Sequence, residues 1–141
     1  MSFIRILVLV GLIGAAHHYW RQQGLSSSPS APMGEMSPAG FAQLPAVQGQ
    51  RPGTVWIVAA ENCPHEDAQR ADHLAAVLAD QGIRVQRTHN VQFQFSEPPD
   101  AATMARLNAI MNGPLPIVFI DGKAKGNPSA EQVVSEYGQQ R

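Results

Sequence analysis

One cysteine, Cys63, stands among the 141 residues. No intramolecular disulfide can form, which excludes a disulfide-stapled secreted scaffold. A mixed disulfide with another molecule is still open to a lone thiol. Charge is equally sparse: ten Lys and Arg, spread along the whole chain, face eleven Asp and Glu for a formal net charge of -1. No basic face is available for nucleic acid. The serines gather mostly between positions 26 and 37, away from any Ser-His-Asp arrangement, and no glycine run has a phosphate-loop pattern. Cys63, His65, Glu66 and His89 do not match the spacings or ligand sets that zinc prefers, so no metal site is expected. His73 falls on the polar side of its helix and is expected to be exposed. The length suits one domain with a real core and is too short for two.

The one long apolar run lies at the start. Met1-Ser2-Phe3-Ile4-Arg5 is a short positive segment, Ile6 to Ala16 is apolar or small throughout, and His17-His18-Tyr19-Trp20-Arg21 closes it. As a helix, Phe3 to Trp20 spans about 27 Å, close to a bilayer core of about 30 Å. Tyr19 and Trp20 suit the interface, and Arg21 stops the run. Residues 1–21 are therefore expected to be a membrane anchor; a signal peptide cleaved after Ala16 is the competing reading, since Gly14 and Ala16 are small residues at suitable spacing. Arg5 with the α-amino group, against Arg21 alone, favours an amino terminus inside and a domain outside the cytoplasm.

Residues 22–53 read as a Pro/Ser/Gly-rich linker without helical or alternating periodicity, whose Phe41, Leu44 and Val47 pack only lightly on the domain. The domain is expected over 54–141. Val55 to Ala60 is a continuous apolar run suited to a strand covered on both faces. Glu61-Asn62-Cys63-Pro64 is then a strand-to-helix turn, with proline in the first helical turn. Ala68, Ala71, Leu74, Ala75 and Leu78 repeat at helical spacing, and Gly82 ends the helix. Ile83 to Arg87 alternates as a strand; Val91, Phe93 and Phe95 extend it or form an edge. Ala101 to Met111 predicts a helix with Met104, Leu107, Ile110 and Met111 on one side. Ile117 to Ile120 is a buried strand, Asp121-Gly122 a two-residue hairpin signal, Lys123 to Lys125 a short strand. Asn127-Pro128-Ser129 opens a last helix faced by Val133, Val134 and Tyr137. The order β-α-β-α-β-β-α predicts a parallel pair followed by an antiparallel hairpin, in a mixed sheet covered by helices.

That order puts Cys63 just past the carboxyl end of a central strand and at the mouth of a helix. Free N–H groups and the helix dipole favour an anion there, so a lowered thiol pKa is expected. His65 adds positive charge when protonated, and Glu66 opposes the effect if it faces the sulfur.

Asn62-Cys63-Pro64-His65-Glu66 after the first strand, together with Leu115-Pro116-Ile117-Val118-Phe119-Ile120-Asp121-Gly122-Lys123, resembles the thioredoxin superfamily, glutaredoxins most closely. The resemblance covers about Thr54 to Tyr137. It implies a mixed four-stranded sheet flanked by helices, with Cys63 as the nucleophile and Pro64, His65 and Glu66 completing a C-P-H-E motif. It also implies a cis Leu115-Pro116 bond, with the backbone at Leu115 and Pro116 pairing with an extended substrate. Glu66 stands where these families carry a second cysteine, which leaves monothiol exchange resolved by an external thiol. Glutathione is the cofactor the resemblance implies, but Ala60 replaces a lysine, Pro114-Leu115-Pro116 replaces Thr-Val-Pro, and Gly126-Asn127 replaces a Gly-Gly pair. Most side-chain determinants for glutathione are thus missing.

The expected function is thiol-disulfide exchange by a membrane-tethered, periplasmic or otherwise extracytoplasmic domain, with a protein or low-molecular-weight thiol as partner. The alternative is a redox-inactive thioredoxin-fold module that binds protein at the cell envelope.

Overall fold

The computed structural model describes residues 36–60 and 65–141. The expected anchor, residues 22–35 of the expected linker, and Cys63 with Pro64 lie outside these residues. Among the described residues no helix is long and apolar enough to cross a membrane.

Among the described residues the fold is mixed α/β: three helices and a five-stranded mixed sheet, with a separate two-stranded ribbon. In chain order the strands are β1 (Ala42–Gln43), β2 (Ala46–Val47), β3 (Thr54–Val58), β4 (Arg84–Thr88), β5 (Phe93–Gln94), β6 (Ile117–Ile120) and β7 (Lys123–Gly126). The helices are α1 (Glu66–Asp80), α2 (Ala101–Met111) and α3 (Ala130–Gln139). The main sheet runs β1-β7-β6-β3-β4. Strands β3 and β4 are parallel, as the intervening helix requires, and every other pairing is antiparallel.

The two central strands explain their own sequences. Val55 to Val58 and Ile117 to Ile120 are buried residue by residue, because both faces of the sheet are covered. Val55, Ile57, Val118 and Ile120 meet Ala71, Leu74 and Leu78 of α1 and Val133 of α3 on one face. Trp56, Val58, Ile117 and Phe119 meet Leu107 of α2, with Phe93 of the ribbon beside them, on the other. The Phe93 and Phe119 rings are tilted, with centroids 5.8 Å apart.

The fifth strand comes from the segment read as linker. Phe41 is fully buried, Leu44 and Val47 nearly so, and β1 pairs with β7 in the register Ala42↔Ala124. Complete burial of such side chains contributes about 1.5–3 kcal/mol each, enough to order a stretch that has no periodicity of its own. Lys125 Nζ donates to the Ala39 carbonyl at 2.9 Å, and Leu44 N–H to that of Gly122 at 2.8 Å. The ordered elements thus begin well before Thr54.

Two further expectations change. Phe93–Gln94 neither extends β4 nor edges the main sheet; it pairs with β2 as Val47↔Phe93. Of the apolar side of α2 only Leu107 is buried, and Met104 is exposed. The hairpin at Asp121-Gly122 forms as its sequence predicts, both residues at positive φ (41° and 80°).

Candidate functional site

The described part of the expected motif starts at His65. It precedes α1 in extended conformation, is exposed, and its side chain makes no capping hydrogen bond. Glu66 and Asp67 occupy the first turn of α1, where acidic groups complement the helix dipole. Both answer to one cation: Arg70 Nη2 contacts the Asp67 carboxylate, and Arg70 Nη1 lies 3.7 Å from Glu66 Oε2. The Glu66 side chain is 89% exposed, so this second pair is a weak surface contact.

Arg70 also reaches across the fold. Its Nη2 donates to the Leu115 carbonyl at 3.4 Å. The start of α1 and the approach to β6 are joined by that side chain, which the motif reading missed. The available signal was local: Glu66 and Asp67 sit four and three residues before Arg70, the spacing of helical ion pairs.

Leu115 is half-buried, and Pro116 is fully buried behind a cis Leu115–Pro116 bond. The register of the sheet fixes what Pro116 stands beside. Ile117, the next residue, pairs with Val58, the last residue of β3. In the sequence Cys63 follows Val58 by five residues.

Pro116 lines a cleft of about 290 Å³ between α1 and the start of α3. Arg70, His73 and Leu74 form one wall, and Pro128, Ser129 and Glu131 the other. Asn127 N–H donates to the Pro116 carbonyl at 2.7 Å, closing the base. Gly126 has to be glycine: a Cβ would lie 2.8 Å from the Pro114 carbonyl oxygen. A capping box ends this wall, with Ser129 Oγ accepting from Gln132 N–H and Gln132 Oε1 from Ser129 N–H. Hydrogen bonds from its own backbone N–H and from the Ser129 hydroxyl hold the Glu131 carboxyl below its ordinary pKa, against a small opposing desolvation. The cleft therefore carries one guanidinium, one imidazole and one carboxylate. His73 is exposed, as its place on the polar side of the helix predicts.

Among the described residues no cluster of His, Cys, Asp and Glu could hold a metal ion. No family model, no curated protein and no solved structure matches the chain.

Proposed function

We propose that this domain is a thioredoxin- or glutaredoxin-like unit performing monothiol exchange through Cys63. One observation carries the reading: the Val58↔Ile117 register sets Pro116 beside the end of the strand that leads into Asn62-Cys63-Pro64. The sheet supports it. Strands β4-β3-β6-β7 make a mixed four-stranded sheet, one parallel pair and then an antiparallel hairpin, compatible with the resemblance, with β1 added at an edge.

In the proposed reaction the Cys63 thiolate attacks one sulfur of a partner disulfide. The partner S–S bond breaks, its second sulfur leaves as a thiolate, and Cys63 holds a mixed disulfide. An external thiolate, from a protein or a small thiol such as glutathione, then attacks the partner's sulfur, forms a new disulfide with it and releases Cys63 as a thiolate. Leu115 and Pro116 hold the partner, and residues 1–21 tether the domain to a membrane on its extracytoplasmic side.

The test is the rate of Cys63 alkylation against pH, together with a non-reducing search for proteins linked to Cys63 in cells. A thiol titrating below the ordinary value of about 8.5 and a trapped mixed disulfide are expected. An ordinary or raised value with nothing trapped overturns the reading.

The second reading, a redox-inactive binding module, is favoured by Arg70. Its hydrogen bond occupies the Leu115 carbonyl, part of the backbone that an extended substrate would use. Full function in a Cys63→Ser variant supports the binding module, and loss of function supports the thiol.

A further inference from the structure

A groove of about 790 Å³ lies where β3 and β4 begin, lined by Gly49 and Arg51 of the preceding turn, Thr54 and Trp56 of β3, and Arg84 and Gln86 of β4. Its polar groups are unusually one-sided. Arg51 and Arg84 are both exposed, and neither has a carboxylate within ion-pair distance among the described residues. Among the described residues no Asp or Glu lines the groove. Arg84 also borders a second cleft that contains Asp121, but both oxygens of that carboxylate accept from Gly53 N–H at 3.2 and 3.3 Å.

Trp56 is the second, independent observation. The residue is only 9% exposed, and its indole Nε1 is buried without an acceptor among the described residues. A buried donor left unpaired costs about 1–3 kcal/mol, and such groups in folded proteins are nearly always satisfied by protein, water or ligand. Arg51, Arg84 and Trp56 all line the groove, so two guanidinium groups and one unpaired indole N–H belong to its walls.

We propose that this groove is an oxyanion site, taking the carboxylate or phosphate group of a small anionic ligand. Arg51 and Arg84 supply charge-assisted hydrogen bonds, the geometry for which guanidinium is suited, and Trp56 Nε1 supplies the buried donor. The site does not rest on the thiol reading, since it uses no residue of the Cys63 motif.

The chain contains two tryptophans, so a Trp20→Phe variant of the full chain in detergent leaves Trp56 as the sole indole reporter. Its indole N–H resonance is followed while citrate or inorganic phosphate is added at constant ionic strength. A saturable downfield shift is expected, with affinity at least about tenfold weaker in Arg84→Gln, the loss of one charge-assisted bond. Preference for citrate identifies a carboxylate ligand, and preference for phosphate a phosphorylated one. Both substituted arginines are exposed, and the remaining amide resonances report whether each variant is folded. The proposal is overturned if neither anion gives a saturable shift up to about 50 mM, the range of very weak binding. It is also overturned if the shift is unchanged in Arg51→Gln and Arg84→Gln. Cys63→Ser leaves the titration unchanged, which separates this result from the fate of the thiol.

Discussion

Lys123 Nζ lies 2.6 Å from Glu136 Oε1, joining the hairpin strand β7 to α3 through a carboxylate that is fully buried. Burial pushes the Glu136 carboxyl up. Hydrogen bonds from Lys123, Ser37 and Gln140, with the Lys123 charge, outweigh it and hold the group below its ordinary value. A carboxyl with a lowered folded pKa stabilises the fold above its unfolded pKa, and that stability is lost as pH falls through the folded value. Urea unfolding of the wild type should therefore lose stability below about pH 4.5, and Glu136→Gln should flatten that part of the profile. Lys123→Met leaves a buried charge without its main partner. Since Lys123 is itself 28% exposed, the expected loss at pH 7 is about 2–3 kcal/mol, below the roughly 3–5 of a wholly buried pair.

Phe41 tests whether the edge strand belongs to the core. Its side chain is fully buried against Val55, Val118 and Val133 in the core cluster beneath α1 and α3. Phe41→Ala should cost about 3–5 kcal/mol, measured by chemical denaturation. A change under about 1 kcal/mol, the range of ordinary surface positions, would mean that the strand only rests on the domain.

Gly126 tests the close packing at the base of the cleft. Gly126→Ala should destabilise by about 1–3 kcal/mol, because the new methyl meets the Pro114 backbone oxygen rather than a side chain able to swing away. Thermal unfolding of the variant against wild type measures it.

Arg70 tests the electrostatics that the thiol reading requires. In Arg70→Gln the Leu115 carbonyl is released from its hydrogen bond, and Glu66 and Asp67 lose the cation they share. If Cys63 is the working group, its alkylation at pH 7 should slow by about two- to tenfold, the equivalent of 0.4–1.4 kcal/mol less stabilisation of the thiolate. Fold stability should change by less than about 0.5 kcal/mol, as for exposed ion pairs.

The parts of the fold legible in the sequence are those whose burial is local. Val55 to Val58 and Ile117 to Ile120 are covered on both faces, so they read as unbroken apolar runs; Ala68 to Leu78 shows helical spacing because one face of α1 meets the sheet. Phe41 and Leu44 were not legible as core. Their neighbours in space are Val118, Ala124 and Val133, some eighty residues away, and two-residue strands have too few positions to show a period. Glu136 was hidden for another reason. A charged residue on a helix is by default solvated, and only the fold brings Lys123 and Ser37 to it. At the candidate site, Pro116 was legible as a residue type before a strand. Arg70 was not, because its contact with Leu115 spans 45 positions. Trp56 reads as one more apolar residue of a buried strand; the unpaired state of its N–H exists only in three dimensions.

The pairing of β1 with β7 has a consequence for assembly. A sheet with two bare edges can gain strands from other molecules on both sides, and such addition has no natural end. Here one end of the sheet is β1, whose two residues are too short an edge to template a long pairing, and β4 is the strand at the other end, with no strand beyond it among the described residues. Arg84 and Arg87 place charge along that remaining side, the kind of guard that discourages casual pairing. Strand-by-strand association through this sheet is therefore expected across β4, where a back-to-back couple of two copies uses the longer edge of each.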